Sequence, residues 1–92
     1  MIRSFNDRKT EDFFSGDNVR QFPGFKKAAE RKLVILDSAV KLGDLAASPG
    51  NRLKKLSGDR AGQYSIRIND QWRLCFTWKV DGPHDVEIVD YH

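Results

Sequence analysis

The sequence contains one cysteine and two histidines among its 92 residues, and it has no run of 18 apolar residues. A single cysteine, Cys75, excludes an internal disulfide and a cysteine-based zinc site, and we interpret it as a small core residue. His84 and His92 are not at a ligand spacing on one element, so we expect no metal and no cofactor. The missing apolar run argues against a membrane span. The N-terminus also lacks the apolar segment of a signal peptide, which favours a cytoplasmic location.

The length indicates a single domain over residues 1–92, with room for one core and one shallow surface site. The composition is 39% hydrophobic and 11% aromatic, which is typical of a folded globular chain. The formal net charge is +3, but the segment from Pro49 to Lys79 alone has a balance of +5 and the remainder −2. A basic segment suits a polyanionic partner, although the same residues could simply be solvated surface charges. The segment contains Arg52, Lys54, Lys55, Arg60, Arg67, Arg73 and Lys79.

Hydrophobic periodicity predicts an α+β fold with the element order β-α-α-β-β-β. Residues Ile2 to Phe5 form the first strand of this scheme, and Asn6 or Asp7 caps a helix through about Phe14. A second helix is predicted over about residues 24–42, with Gly43 as its C-cap, from an apolar stripe with spacings of three and four. The stripe consists of Phe25, Ala28, Ala29, Leu33, Leu36 and Val40. Residues 43–52 are predicted as a loop that includes a helical turn.

Three alternating segments predict an antiparallel meander, with both helices on one face of the sheet. In the middle strand, Trp72, Leu74, Phe76 and Trp78 share the apolar face, which we expect to meet the helices. The opposite side, with Arg73, Thr77 and Lys79, is expected to face solvent. The predicted strands are Gln63–Ile68, Trp72–Lys79 and Val86–Tyr91.

The chain ends with a carboxylate, a phenol and an imidazole in succession, Asp90, Tyr91 and His92. Each of these groups can move a proton, although a frayed polar tail is the alternative. RNA contains its own nucleophile, the 2′-hydroxyl. A protein cleaves RNA if it supplies a base, a cation for the phosphate and an acid for the 5′ oxygen. Together with Arg73, the three terminal residues are candidates for these roles, and no metal ion is needed.

At these residues the chain resembles the HigB branch of the RelE-type toxins of bacterial toxin–antitoxin pairs. The likeness extends over nearly the whole chain and agrees in length and element order. No single short motif is specific, but the set is fairly specific when taken together. Its segments are Met1-Ile2-Arg3-Ser4-Phe5, Leu56-Ser57-Gly58-Asp59-Arg60-Ala61-Gly62, Tyr64-Ser65-Ile66, Trp72-Arg73-Leu74 and Asp90-Tyr91-His92.

The resemblance implies a toxin that cuts messenger RNA in the decoding (A) site of the ribosome and so inhibits translation. It also implies a HigA-like helix-turn-helix antitoxin as partner, with operator DNA reached only through that antitoxin. By matching position, Arg73 stabilises the developing phosphate charge, Asp90 and His92 are the proton-handling or orienting groups, and Tyr91 stacks on the substrate or hydrogen-bonds to it. Lys54, Lys55, Arg60, Arg67 and Lys79 are the candidate RNA-binding residues.

Two positions depart from the pattern of the resembled toxins, which have a histidine near position 54 and a lysine near position 57. Here these residues are Lys54 and Ser57, so the general base and general acid stay unassigned. A lysine needs a strongly lowered pKa to act as a base. Two other functions are compatible with the same scaffold. They are gyrase inhibition, as by ParE-type relatives, and a non-catalytic module that binds nucleic acid or a partner.

Overall fold

The computed structural model describes residues 1–16 and 24–90, which combine helices with an antiparallel sheet. Within these residues, α1 spans Arg8–Phe14, α2 spans Lys26–Ser38 and α3 spans Leu42–Ala46. The strands follow as β1 (Lys54–Lys55), β2 (Gln63–Arg67), β3 (Trp72–Lys79) and β4 (Gly82–Asp90). The predicted mixture of helices and antiparallel strands is therefore confirmed. The predicted element order is not, because a third helix and a new first strand separate α2 from β2.

Helix α1 begins where the sequence predicts, at a cap formed by Asp7. The Asp7 carboxylate accepts the backbone N–H of Thr10 at 3.3 Å, which satisfies one of the free donors of the first turn. Thr10 is fully buried, and its hydroxyl accepts the backbone N–H of Ile88 in β4 at 3.1 Å. Phe13 on the same helix is buried in the core. A polar contact and an apolar one thus dock α1 onto the last strand.

The predicted helix over residues 24–42 is too long at its C-terminal end, and Gly43 is not its C-cap. Helix α2 ends at Ser38, because Ala39 adopts an extended conformation with ψ of 132°. The predicted apolar stripe is confirmed for Ala29, Leu33 and Leu36, which are buried. Val40, which was expected on the same stripe, is instead 87% exposed.

The chain turns after α2 because the Asp44 carboxylate accepts backbone N–H groups that a longer helix would use for its own hydrogen bonds. Asp44 accepts the N–H of Val40 at 2.9 Å and the N–H of Lys41 at 3.1 Å. These backbone hydrogen bonds to the charged form lower the pKa of Asp44. They also start α3, the helical turn predicted within residues 43–52, and this helix buries Leu45 against the core.

The sheet has the strand order β1-β2-β3-β4, and each neighbouring pair is antiparallel. The predicted meander is thus confirmed and gains the two-residue strand β1 at its edge. The predicted first strand at Ile2 to Phe5 is wrong, because only Phe5 forms a parallel bridge, with Val86. The edge of β4 cannot support a continuous ladder there, since Pro83 lacks an N–H and Asp85 has a φ of 53°.

The two faces of the sheet differ sharply. As predicted, the apolar side of β3 meets the helices: Leu74 and Phe76 are fully buried with Leu33 of α2, and the Trp72 ring stacks on Phe25 at 5.0 Å between centroids. None of the helices in the described ranges has the length and apolarity that crossing a membrane requires.

We call the side of the sheet opposite to Leu74 and Phe76 the polar face. Its residues, from the cross-strand register, are Lys54, Gln63, Ser65, Arg67, Arg73, Cys75, Thr77, Lys79, His84, Glu87 and Val89.

Candidate functional site

Arg73 lies at one end of the polar face, near the start of β3, and oxygens of Ser65 and Arg52 hold its guanidinium. Its Nε donates to the Ser65 hydroxyl at 2.7 Å, and its Nη2 donates to the backbone carbonyl of Arg52 at 2.6 Å. A longer bond of 3.4 Å joins Nη2 to the Ser65 carbonyl. The alternation along β3 predicts that Arg73 is open to solvent, but the side chain is half-buried. Because the guanidinium is planar, these bonds fix its orientation as well as its position.

The carbonyl of Arg52 reaches Arg73 because the chain before β1 makes a tight turn. Residues Pro49–Asn51 form one turn of 3-10 helix, and Arg52 closes it in the left-handed conformation, with φ 45° and ψ 54°. Such a conformation costs a non-glycine residue on the order of 1–2 kcal/mol. The buried Asn51 side chain anchors the turn, since it donates to the Leu45 carbonyl at 3.1 Å and accepts from Lys32 Nζ at 2.7 Å.

Two of the predicted RNA-binding cations lie beside Arg73. Arg67 is its direct partner in the β2–β3 register, and Lys54 is paired with Ser65 across β1 and β2. Directly opposite residues in an antiparallel pair have Cβ atoms about 4.5–5.5 Å apart. The Arg67 guanidinium is bonded to the carboxylate of Asp70, which is 99% exposed, and Lys54 is exposed on the edge strand. This end of the polar face thus concentrates three cationic side chains.

A fourth cation, Lys32 of α2, borders this cluster. Its pKa is lowered, first by desolvation and then by the neighbouring charges of Arg31 and Arg67. Desolvation and the repulsion from Arg31 and Arg67 therefore both disfavour the protonated form of Lys32. An anion placed here would relieve that repulsion.

The remaining RNA-binding candidates lie elsewhere. Arg60 is engaged with the carboxylate of Glu87 at 3.2 Å and with the Gln63 side chain at 3.0 Å. Lys55 is in register with Tyr64, which places it on the helix side of the sheet. Lys79 ends β3, six residues from Arg73, which is about 20 Å at the usual rise of a strand. The structure therefore divides the predicted basic surface into one compact cluster and three separate residues.

Asp90 is paired with Trp72 and so lies on the helix side of the sheet, opposite to Arg73. Its carboxylate accepts from the Gln71 side chain at 3.1 Å. Val86 and Ile88 are buried on this same side, so a strict alternation along β4 already indicated the face of Asp90. Tyr91 and His92 lie outside the described residues, and their convergence with Arg73 stays a prediction.

Ser65 and Arg52 are the site residues that the sequence did not reveal. Ser65 is an isolated polar residue in a strand, and only the cross-strand register shows that Arg73 covers it. Nothing in the sequence marks Arg52 as left-handed, because arginine does not favour that conformation.

Buried Cys75 matches its interpretation as a core residue, and desolvation raises its pKa. Within residues 1–16 and 24–90, no three His, Cys, Asp or Glu side chains are grouped as a metal site would require.

Comparison with known proteins agrees with this architecture. Residues 3–92 match the family described as the RelE-like toxin of type II toxin–antitoxin system HigB. Toxin HigB-1 of Vibrio cholerae is 42% identical over 84 residues, which cover 89% of this chain and 87% of that protein. Endoribonuclease HigB of Proteus vulgaris is 27% identical over 95 residues and is matched over 100% of both chains.

The fold is also found in a solved structure. A chain of the YoeB–YefM complex from Staphylococcus aureus superposes with a TM-score of 0.61 at 24% identity, over 100% of this chain and 98% of that one. At this identity the match shows a common fold. The family match over residues 3–92 confirms the resemblance drawn from the sequence: this chain belongs to the HigB-like family of RelE-like toxins of type II toxin–antitoxin systems.

Proposed function

We propose that this chain is an endoribonuclease that cuts messenger RNA in the ribosomal A site and so stops translation. The observation that carries the proposal is the Arg73 guanidinium, fixed by Ser65 and Arg52 within a cluster of cations. Arginine binds phosphate oxygens through paired N–H donors, and preorganised donors stabilise charge that develops in a transition state. The relative named Endoribonuclease HigB supports the same activity.

The proposed reaction uses the 2′-hydroxyl of the RNA as nucleophile. Its oxygen forms a bond to the adjacent phosphorus as the bond to the 5′ oxygen breaks, which yields a 2′,3′-cyclic phosphate and a 5′-hydroxyl end. Arg73 stabilises the negative charge on the phosphate. Tyr91 and His92 are the proposed contacts to the reacting nucleotides, and they share the proton transfers. No metal or cofactor is part of this scheme.

Of the two roles that the resemblance implies for Asp90, proton handling or orienting, we propose the orienting one. Because it lies on the helix side and bonds Gln71, we assign it to orienting the end of β4. Lys54 and Arg67 hold neighbouring phosphates of the same strand. The ribosome supplies the in-line geometry between hydroxyl and leaving group, as proximity catalysis requires.

The proposal includes a cognate partner. A toxin of this family is paired with an antitoxin, and we assign a HigA-like helix-turn-helix protein to that role. The pair contacts operator DNA through the antitoxin. The toxin itself is a single domain that acts in the cytoplasm on ribosomes and messenger RNA and does not bind membranes.

Mapping of RNA 5′ ends after brief induction tests the activity, in cells that express the wild-type chain or Arg73→Ala. We expect new 5′-hydroxyl ends at fixed positions within codons of translated messages, and none with Arg73→Ala. Lys79→Ala is the matched control, because it removes a cation from the same strand about 20 Å away. Binding of the antitoxin by each variant verifies its fold.

Two outcomes would reject the proposed function. Growth arrest without new RNA ends indicates a non-catalytic binding module. Arrest of DNA replication with an SOS response, before protein synthesis declines, indicates action on gyrase.

A further inference from the structure

We propose that Ser65 and Arg52 are positioning residues for the reaction, and that they act through Arg73. Ser65 acts through its hydroxyl and Arg52 through its backbone carbonyl. Neither side chain needs to touch RNA for this role. The inference rests on the proposed function, since it concerns the orientation of the group that stabilises the phosphate.

Ser65 is placed as a dedicated acceptor. Its side chain is fully buried, and a buried hydroxyl is normally retained only where it has a hydrogen-bond partner. That partner is Arg73 Nε at 2.7 Å. A small apolar residue would fill the same space in β2 between Tyr64 and Ile66, so packing alone does not explain a serine there.

Arg52 provides the second restraint through a strained conformation. Its left-handed backbone turns the carbonyl toward Arg73 Nη2, at 2.6 Å. The strain is maintained by the 3.1 Å bond from the Arg52 N–H to the Pro49 carbonyl and by the buried Asn51. Non-glycine residues in this conformation are concentrated at functional sites, where the surrounding structure holds them.

The two restraints act on different nitrogens of one planar group. Nε is bonded to the Ser65 hydroxyl and Nη2 to the Arg52 carbonyl. A change in the orientation of the guanidinium plane would therefore break at least one of the two bonds. The direction of the Nη1 amino group is then fixed in advance of substrate binding. This preorganisation lowers the reorganisation that the transition state would otherwise require.

The first test measures the orientation of Arg73 without RNA. In 1H–15N spectra, the Arg73 Nε–H is identified as the side-chain signal that disappears in Arg73→Ala. We expect Ser65→Ala to increase its solvent exchange at least about 10-fold, while the backbone amides of β2 and β3 keep their protection. Unchanged exchange of the Nε–H in a folded Ser65→Ala protein would overturn the inference.

The second test measures single-turnover cleavage on programmed ribosomes. Loss of a hydrogen bond to a charged group predicts that Ser65→Ala slows the cleavage step about 10- to 100-fold, with little change in the ribosome concentration at half-saturation. Ser65→Thr keeps the hydroxyl and is expected to recover most of the rate. A weakened half-saturation with an unchanged cleavage step would show that Ser65 serves binding and would contradict the inference.

The role of Arg52 is separated by two substitutions at one position. Arg52→Gly removes the side chain but favours the left-handed backbone, whereas the β-branched side chain of Arg52→Val disfavours it. We expect Arg52→Gly to retain the cleavage rate within about 3-fold and Arg52→Val to lose about 10-fold or more. Equal losses in both variants would assign the effect to the guanidinium of Arg52 and reject the carbonyl role.

The two tests fail independently. If the wild-type chain does not cleave RNA, the proposed function fails while the exchange experiment still reports on Arg73. If the wild-type chain cleaves and Ser65→Ala cleaves equally well, the positioning role fails alone.

Discussion

Arg73 and Arg60 carry the same charge and both reach the polar face, but they are held in different ways. Arg73 donates to a hydroxyl and a carbonyl, which are neutral oxygens. Arg60 donates to the carboxylate of Glu87 at 3.2 Å. The Ser65 hydroxyl and the Arg52 carbonyl orient the Arg73 guanidinium without neutralising it, whereas the Glu87 carboxylate also neutralises Arg60.

The Arg60 side of the face is built as a structural clamp. Glu87 accepts from the side chain of Asn6 at 2.9 Å as well as from Arg60, so this carboxylate joins the N-terminal segment, β4 and the turn before β2. The comparison teaches that the number of basic residues on a face overestimates its capacity for phosphate. A cation whose carboxylate partner is largely buried, as Glu87 is at 21% exposure, stabilises the fold. Arg67 can exchange its partner for a phosphate, because Asp70 is 99% exposed.

Removal of each arginine in turn gives the largest expected effect. Arg73→Ala is expected to lower the single-turnover cleavage rate about 100- to 1,000-fold, as for the loss of a preorganised donor to a developing oxyanion. Arg60→Ala is expected to stay within about 3-fold of the wild-type rate, since its charge is already paired. Equal losses in the two variants would refute the distinction between an arginine oriented by the Ser65 hydroxyl and the Arg52 carbonyl and one paired with the Glu87 carboxylate.

The neighbouring lysines and arginines give a smaller effect on binding. Lys54→Ala and Arg67→Ala are each expected to weaken binding to programmed ribosomes several-fold and to reduce its salt dependence, as the loss of a phosphate contact does. Lys55→Ala and Lys79→Ala are the matched controls and should change neither quantity. Affinities measured over a series of salt concentrations test this directly, and a comparable loss in the controls would show that the whole basic segment binds RNA.

Much of this comparison could be predicted from the sequence. The alternation Trp72–Lys79 places Arg73 on the polar face, and the cap at Asp7 sets the start of α1, because both depend on local patterns with a short period. The face of Asp90 also followed from the period of Val86 and Ile88. Grouping Asp90 with Arg73, Tyr91 and His92 rests on the chemistry of the side chains and not on this period, and the structure places Asp90 on the opposite face from Arg73.

Other features depend on contacts that no local pattern contains. Arg60 bonds to Glu87, which lies 27 residues further along the chain. The pairing of β3 with β4 brings this carboxylate within reach, so the sequence near Arg60 does not predict the bond. The predicted helix over residues 24–42 ends early because Asp44 accepts the backbone N–H groups of Val40 and Lys41, which precede it in the chain. The left-handed Arg52 is a local strain that distant groups, Lys32 among them, help to hold. Such features are selected by the assembled structure rather than by residue preference.

The clamp itself predicts a modest effect on stability. A double-mutant cycle with Arg60→Ala and Glu87→Ala should give a coupling free energy of about 0.5–1 kcal/mol, because both side chains are partly exposed. Urea unfolding of the four proteins measures it. The coupling should decrease in high salt. The loss of stability in Ser65→Ala should depend less on salt, since the wild-type bond from Arg73 to Ser65 involves a hydroxyl and no carboxylate. A zero coupling would mean that Glu87 does not neutralise Arg60 in solution.

The smallest effect concerns a carboxylate away from the polar face, at the α2–α3 junction that leads to Arg52. The backbone hydrogen bonds of Asp44 lower its pKa in the folded state, so the folded state binds this proton less tightly than the unfolded chain does. Its contribution to stability is therefore full above about pH 4, the ordinary range of an aspartate, and it is lost as the pH falls through the lowered value. Wild type should exceed Asp44→Ala in urea midpoint at pH 7, and the difference should narrow as the pH falls below that range. Asp44→Asn keeps a neutral acceptor and should show a weaker dependence on acid. A difference between wild type and Asp44→Ala that is equal at pH 7 and below that range would mean that the charge of Asp44 does not contribute to the cap. The cap would then depend on the acceptor oxygens of Asp44 irrespective of their charge.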